Sequence, residues 1–183
     1  MSLQKAVEIV ATLGERGIVQ NYAIAGAVAA LNYIQPTFTE DLDIPVSVGA
    51  FEKRQSSLIL LTPIEQALAE MGYSERTDVG YLIEGWPVQF LPVASALDME
   101  GLERAVEVDI GAGILARCLR AEHVVATAAR IGRLKDLARI EAFLAQNAVD
   151  LMALKGVIER HDLKPAWKTF CAKAGIADPL DLS

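Results

Sequence analysis

The stretch AIAGAVAALNYIQPTFTEDLDIPV, residues 23–46, determines the fold class of this chain. A short apolar segment, residues 22–25, predicts a strand that leads into a tight turn at Gly26. The Ala-rich run 27–34 then predicts a helix, and residues 41–46 alternate polar and apolar side chains with the period of a half-buried strand. Strand, glycine turn, helix and acidic strand in this order predict an α/β domain.

The rest of the chain is mixed in its first two thirds and helical in the last third. Pro36 is expected to end the second helix, and Pro45 to mark an edge strand or a strand end. Thr62 is expected to cap a helix that has Pro63 at its first position. The segment 84–87 predicts a hairpin turn. The further elements predicted are helices over residues 3–14, 63–71, 123–131, 135–146, 149–159 and 164–175, and strands over 81–83, 88–91 and 105–110.

The length of 183 residues fits one domain, and no repeat or linker divides it. We therefore expect two parts that pack together, a mixed core over residues 1–117 and a C-terminal helical subdomain over residues 118–183. Cys118 and Cys171 lie far apart with no CxxC spacing, which predicts two buried reduced thiols and no disulfide.

The net charge and the hydropathy pattern limit the expected cellular location and the expected binding partners. A net charge of -7 argues against a broad nucleic-acid surface, because duplex binding depends on Lys and Arg that neutralise phosphates. The N-terminus lacks a signal-peptide pattern, and no apolar run reaches the roughly 18 residues of a spanning helix, so we expect a cytoplasmic protein without membrane contact. The hydrophobic fraction of 52% exceeds that of an ordinary domain, which favours a homo-oligomeric interface.

Asp41 and Asp43 carry the chemistry that the sequence indicates. Carboxylates at i and i+2 of a strand point to the same face, about 7 Å apart along the chain, while Leu42 and Ile44 point into the core. Magnesium binds one or two carboxylates together with waters and substrate phosphates. A glycine such as Gly26 lets backbone N–H groups approach a phosphate closely, so the two features together predict a magnesium–nucleotide site.

This order of elements resembles the nucleotidyltransferase superfamily, and within it the bacterial abortive-infection, AbiEii toxin-like branch. That branch carries a Gly-Gly or Gly-Ser turn, a helix and then T-x-D-h-D-h, where h is hydrophobic. Gly26 and Ala27 stand at the turn here, and Thr39 begins the matching Thr-Glu-Asp-Leu-Asp-Ile. The resemblance implies the nucleotidyltransferase fold, with a mixed sheet flanked by helices, and it implies that Asp41 and Asp43 are catalytic residues that hold Mg²⁺.

A second segment extends the resemblance into the helical part. EHVVATAARIGRLKDLARIEAFL, residues 122–144, is similar to the family's E-x-L-h-x-x-K-h-x-x-x-R-x-K-D-x-x-D-h. The matching residue types are Glu122, Arg130 or Arg133, Lys135 and Asp136. The resemblance implies a catalytic role for Lys135, which would neutralise developing charge. Without the resemblance, the same segment is an amphipathic helix pair with a solvated charged face.

The chain departs from the family pattern at the third acid. Active members usually carry a further carboxylate on a later strand, as metal ligand and general base, and here that position is Gln89. An amide can coordinate a metal but cannot take a proton at neutral pH. Thr127 stands where the family often has Lys, and Arg139 replaces the second Asp of K-D-x-x-D. Glu84 and Glu40 are the candidate replacement acids.

Three functions remain open on the sequence alone. The first is an enzyme that transfers a nucleoside monophosphate from a magnesium–NTP complex to a hydroxyl of a small molecule, a tRNA or a protein, with a cognate antitoxin as partner. The residues expected to bind the nucleotide are Gly26, Ala27, Thr39 and Gln89. The second is a degenerate, inactive relative that binds a nucleotide or a partner. The third is a structural protein, in which Asp41 and Asp43 would pair with arginines.

Overall fold

The computed structural model describes residues 2–35, 39, 41–47, 57–111 and 113–182, and only the backbone of residues 57–60. The helices and strands, in chain order, are α1 Leu3–Glu15, β1 Asn21–Tyr22, α2 Gly26–Ala30, β2 Leu42–Ser47, α3 Ser57–Glu70, β3 Tyr81–Ile83, β4 Trp86–Pro92, α4 Ala96–Glu103, β5 Val106–Asp109, β6 Leu115–Cys118, α5 Ala121–Ile131, α6 Leu134–Ala145, α7 Leu151–Arg160 and α8 Lys164–Ala174.

Four of the strands form a mixed sheet in the order β1-β2-β4-β3. The central strands β2 and β4 are parallel, with Leu42 opposite Val88 and Asp43 opposite Gln89. The outer strands β1 and β3 pair antiparallel to them. Strands β5 and β6 form a separate antiparallel ribbon. The mixed sheet and its flanking helices confirm the predicted α/β class.

The alternation of β2 separates a core face from a polar face. Leu42, Ile44 and Val46 are fully buried, whereas Asp43 on the opposite face is only partly covered. Helix α5 packs against α2, α4, α6, α7 and α8. Buried residues on both sides of residue 118 belong to one hydrophobic cluster. The division into residues 1–117 and 118–183 stays a prediction.

The expectation that Pro45 marks an edge strand or a strand end is wrong, because Pro45 lies inside the central strand β2. Its carbonyl oxygen accepts a hydrogen bond from the Ala23 N–H at 3.3 Å. The nitrogen and the carbonyl of one strand residue point to the same side, so the missing N–H of Pro45 faces residues 23–25 instead of β4. The ladder between β2 and β4 therefore tolerates the proline.

The start predicted for the third helix is also wrong. Helix α3 begins at Ser57, and Pro63 lies inside it. A proline within a helix removes one hydrogen bond to the carbonyl four residues earlier, and tertiary packing can outweigh this cost. Ile64 and Leu68 are fully buried, so this face of the helix is held by the core.

The predictions of the hairpin and of two buried reduced thiols are confirmed. The hairpin turns at Glu84 and Gly85, whose φ angles of 51° and 81° fit a type I′ turn. Helix α2 ends at Ala30 and continues as i to i+3 turns to Ile34, and Pro36 lies outside the described residues. Cys118 and Cys171 are buried free thiols. Within the described ranges, no helix combines the length and apolarity that a membrane crossing requires.

Candidate active site

The two aspartates of the acidic strand lie at the start of β2. Asp43 is the second residue of β2 and is paired with Gln89 of β4 in parallel register. Asp41 immediately precedes the strand. The Thr39 hydroxyl donates to the Asp41 backbone oxygen at 3.1 Å and approaches Asp41 Oδ1 at 3.4 Å. Thr39 therefore stabilises the backbone just before the acidic strand.

The Gly26 turn lies directly against the Asp43 carboxylate. Gly26 has a φ of 60°, a conformation that favours glycine. A Cβ atom at this position would lie 2.2 Å from Asp43 Oδ2 and 3.1 Å from its Cγ. The Ala25 N–H donates to the Asp43 backbone oxygen at 2.9 Å, which fixes the turn beside the strand. Residue 26 must therefore lack a side chain for both conformational and steric reasons.

Helix α6 brings a cluster of cations to the same site. Asp136, which is 1% exposed, accepts from Arg133 Nε at 2.7 Å and lies 3.4 Å from Arg139 Nη1. Asp136 also accepts from the Arg133 backbone N–H, which caps the start of α6. We call Arg133, Asp136 and Arg139 the Asp136 cluster. Lys135 stands beside it, exposed, and forms no ion pair with any described residue.

The pKa of the Asp43 carboxyl responds to charges on both the acidic strand and α6. Burial raises the pKa of the Asp43 carboxyl, and the nearby charge of Asp41 raises it further. The positive charges of Lys135, Arg133 and Arg139 oppose this rise. The structure therefore places the α6 cations close enough to act on the acidic strand.

Among the described residues, no cation forms an ion pair with the two aspartates. Neither Asp41 nor Asp43 forms a salt bridge with a described residue, which is the opposite of what the structural-protein alternative requires. Two neighbouring carboxylates, one of them with a raised pKa, form an oxygen donor set that fits a hard divalent cation. Among the described residues no group of three or more His, Cys, Asp or Glu forms a larger metal cage.

Gln89 occupies the place of the expected third acid. Its side chain lies on the same sheet face as Asp43, because the two residues are directly paired. Gln89 also borders an open cavity of about 280 Å³ that includes Arg76, Asp78 and Tyr81. Arg76 is 4.6 Å from the centroid of the Tyr81 ring. A polar cavity thus adjoins the site on the β3 side.

The remaining sequence candidates take other positions. The Ala27 side chain is 8% exposed and packs into the core, so only its backbone can face a ligand. Glu84 accepts a hydrogen bond from the Tyr73 hydroxyl at 2.6 Å in the hairpin turn, which accounts for its carboxylate without a role at Asp43. Glu40 lies outside the described residues. Thr127 borders a different cavity, together with Pro45.

Arg139 departs from the family pattern, but its i, i+4 spacing with Lys135 also predicts a helix face that could reach a triphosphate or a nucleic-acid backbone. The structure places its positive charge near Asp43 and anchors it through Asp136. The signal available in the sequence was the i, i+3, i+6 spacing of Arg133, Asp136 and Arg139 on α6, which puts the three side chains on one face.

A half-buried carboxylate, Glu100 of α4, links α4 to α5 and α7. It contacts Arg160 Nη2 and His161 Nε2, each at 2.6 Å, and Arg104 Nε at 3.1 Å. Hydrogen bonds from Arg160 and His161 lower the pKa of Glu100 to about 2, against the opposing effect of burial. His123 lies 3.4 Å from Glu100 and is 2% exposed.

No protein-family model matches the chain, and no curated protein sequence matches it. The solved structures that resemble the chain include two of one protein. The solution structure of the antibiotic-resistance factor ANT(2'')-Ia has a TM-score of 0.49 and 17% identity, with 94% of each chain covered. The crystal structure of ANT(2'')-Ia in complex with adenylyl-2''-tobramycin has a TM-score of 0.46 and 15% identity, covering 91% of this chain and 94% of that chain.

Proposed function

We propose that this protein transfers a nucleoside monophosphate from a magnesium–NTP complex to an acceptor hydroxyl. The observation that carries the proposal is the contact between the Gly26 turn and Asp43. This contact places a backbone turn suited to phosphate next to a strand whose aspartates form no ion pair with a described residue. The cations of α6 lie beside both. Nucleotidyl transfer depends mainly on positioning and on electrostatic stabilisation, and these residues supply both.

Asp41 and Asp43 are the residues that would hold Mg²⁺, because they are the unpaired oxygen donors of the site. When bound, the metal would supply positive charge to the phosphate oxygens of the nucleotide. The first-turn N–H groups of α2, at Gly26 and Ala27, have no acceptor within the helix or elsewhere in the described part of the chain, and they would bind a phosphate. Lys135 contributes an exposed positive charge, and the Asp136 cluster supplies two more from Arg133 and Arg139.

Gln89 limits how the acceptor is activated. Its amide can orient an acceptor hydroxyl or complete a ligand set through Oε1, but it cannot remove the proton. The proton of the attacking hydroxyl must then leave to solvent or to the nucleotide phosphate. A slow transfer reaction is the expected consequence, since a positioned general base typically contributes about 100-fold or more.

The substitution at Gln89 also supports a second candidate function, a nucleotide-binding module without turnover. In that case the acidic pair, the Gly26 turn and the α6 cations still bind magnesium–NTP. Turnover separates the two candidates, because both predict binding. The abortive-infection-like role, a cognate antitoxin and the class of acceptor stay proposals that rest on the sequence resemblance. A homo-oligomer and a cytoplasmic location stay proposals that rest on composition and on the hydropathy pattern.

The test is isothermal titration of the protein with each NTP, with and without Mg²⁺. The variant is the double substitution Asp41→Asn and Asp43→Asn. Its matched control is Asp162→Asn with Glu141→Gln, two exposed acids elsewhere, which changes the net charge by the same amount. Magnesium-dependent binding that disappears only in the aspartate variant supports the site.

Absence of binding to every NTP would refute both candidate functions. If binding is found, transfer of label from an α-labelled NTP to small molecules, to tRNA or to the protein itself is measured next. Label transfer that requires Asp41 and Asp43 supports the enzyme, and binding without transfer to any acceptor class supports the module.

A further inference from the structure

Three arginines meet at an open cavity of about 160 Å³ between α4, α5 and α7. Arg104 directly follows α4, Arg120 directly precedes α5, and Arg160 is the last residue of α7. Two small residues of α7, Ala153 and Gly156, contribute to the same lining. We call this space the Arg120 cavity. It brings cationic side chains together from three helix ends that are distant in the sequence.

The three guanidinium groups have more donors than the protein uses. Each guanidinium carries five N–H donors. Arg120 Nε donates to the Arg104 backbone oxygen at 3.0 Å, and Arg104 Nε contacts Glu100 at 3.1 Å. Arg160 donates to Glu100 through Nε at 3.3 Å and through Nη2 at 2.6 Å. No described residue accepts a hydrogen bond from either Nη atom of Arg104 or Arg120, or from Arg160 Nη1.

Gly156 leaves space beside one of these unused donors. It lies in the interior of α7, where glycine is less favourable than alanine. A Cβ atom at this position would lie 3.0 Å from Arg160 Nη1. The two residues are four positions apart, so the Arg160 guanidinium lies over the preceding turn of its own helix. The missing side chain therefore keeps Nη1 at the lining of the cavity and leaves room in front of it.

The lining carries a surplus of positive charge. Among the described residues that line the cavity, Glu122 is the one carboxylate. Glu100 lies behind the arginines and is shared by Arg104 and Arg160. The three arginines outnumber these two acids. Helix α5 also begins at this cavity without a side-chain cap, and the start of a helix carries partial positive charge. An anion is the ligand class that this lining favours.

The volume of the cavity limits the size of the anion. Liquid water occupies about 30 Å³ per molecule, so the cavity has room for about five waters or for one phosphate ion. Complete sites for larger ligands usually measure about 300–1,000 Å³. Guanidinium groups match the oxygens of a phosphate through pairs of parallel hydrogen bonds. The cavity therefore fits a single phosphate group and is too small for a whole nucleotide.

We propose that the Arg120 cavity is a binding site for one phosphate dianion, either free or as the terminal group of a small phosphomonoester. The unused Nη atoms of the three arginines donate to its oxygens. Because the ligand joins the ends of three helices, its binding stabilises the folded chain. None of Gly26, Asp41 and Asp43 borders the cavity, so the inference is independent of the proposed function.

The test is calorimetric titration with inorganic phosphate at mildly alkaline pH, where phosphate is a dianion. Mg²⁺ and nucleotide are absent, and chloride keeps the ionic strength constant. Phosphate should bind at one site and raise the melting temperature with increasing concentration. Arg120→Gln keeps a donor toward the Arg104 carbonyl and should bind phosphate about tenfold more weakly, the loss expected from one hydrogen bond to a charged group. Gly156→Leu fills the cavity and should abolish phosphate binding.

Two controls remove one positive charge elsewhere, Lys135→Gln beside the acidic strand and Arg16→Gln at the exposed end of α1. Both should bind phosphate as the parent protein does. No binding to the parent, or equal binding to the parent and Arg120→Gln, overturns the proposal. Loss of binding in Lys135→Gln with binding kept in Arg120→Gln also overturns it, because the phosphate then binds at the acidic strand.

A parallel titration with glycerol 3-phosphate identifies the source of the phosphate group. Tighter binding of this ester than of inorganic phosphate, lost in Arg120→Gln, supports a phosphomonoester as the ligand. Equal or weaker binding of the ester supports the free ion.

Discussion

Replacing Gly26 by alanine imposes two separate costs, one on the backbone and one on Asp43. The left-handed backbone conformation of Gly26 costs a non-glycine residue about 1–2 kcal/mol of folding stability. In addition, the new Cβ would lie 2.2 Å from Asp43 Oδ2. Ordinary van der Waals contact requires roughly 3.5 Å, so the carboxylate must move by about 1 Å.

The second cost should appear in function more than in stability, because a side-chain rotation of Asp43 relieves the clash. A displacement of about 1 Å at a reacting centre can lower activity by about 100-fold. We therefore expect Gly26→Ala to lose about 1–2 kcal/mol in urea unfolding. We expect it to lose about 100-fold in magnesium–NTP affinity or transfer, measured by calorimetry and label transfer.

The matched control is Gly17→Ala, at a φ of 70° with no atom within 4 Å of the new Cβ. This variant has the same backbone cost and no contact with the acidic strand. It should lose a similar free energy of unfolding and keep its nucleotide affinity. Equal nucleotide affinity in the two variants would refute the assignment of Gly26 to the site.

Three further predictions concern substitutions of Asp43, Gln89 and Glu100. Asp43→Asn should raise the melting temperature measured without Mg²⁺. The pKa of Asp43 is raised in the folded protein, so its charged form destabilises the fold at neutral pH. An unchanged or lower melting temperature would contradict this prediction. Gln89→Glu should raise turnover by about 100-fold or more if transfer occurs at all, in a label-transfer assay, since it restores a general base. Glu100→Gln should lower the free energy of unfolding at pH 7 by about 1.5–3 kcal/mol, the range for hydrogen bonds to a charged group. The pKa of Glu100 in the folded protein is lowered to about 2, so its contribution to stability is present above about pH 4.5 and is lost toward pH 2. The free energies of unfolding of the variant and the parent, measured in urea, should therefore converge at low pH.

The fold class could be predicted because local patterns and tertiary contacts agree in the decisive stretch. The alternation of Leu42, Asp43 and Ile44 marks both the strand and its buried face. Pro45 and Pro63 misled the prediction, since local preference placed them at element ends and long-range packing placed them inside β2 and α3. Helix α4 was missed because its sequence, ALDMEGLE, lacks a clear apolar stripe.

The candidate site could be predicted in its residue types but not in its connections. Gly26 and Asp43 were both named from the sequence, yet their direct contact depends on how the turn folds back onto β2. The role of Arg139 depends on the buried Asp136, whose pairing is a tertiary feature. The Arg120 cavity was not predictable, because it is formed by the ends of α4, α5 and α7 together.

The parallel pairing of β2 and β4 has a consequence for the order of folding. Leu42 pairs with Val88, which is 46 residues further along the chain, whereas β3 and β4 form a local hairpin. Closing the longer loop costs more chain entropy, so non-local parallel pairing is slow compared with hairpin formation. Asp43 and Gln89 should therefore meet late, after the hairpin exists, and partly folded chains that already contain helices and the hairpin should lack a nucleotide site.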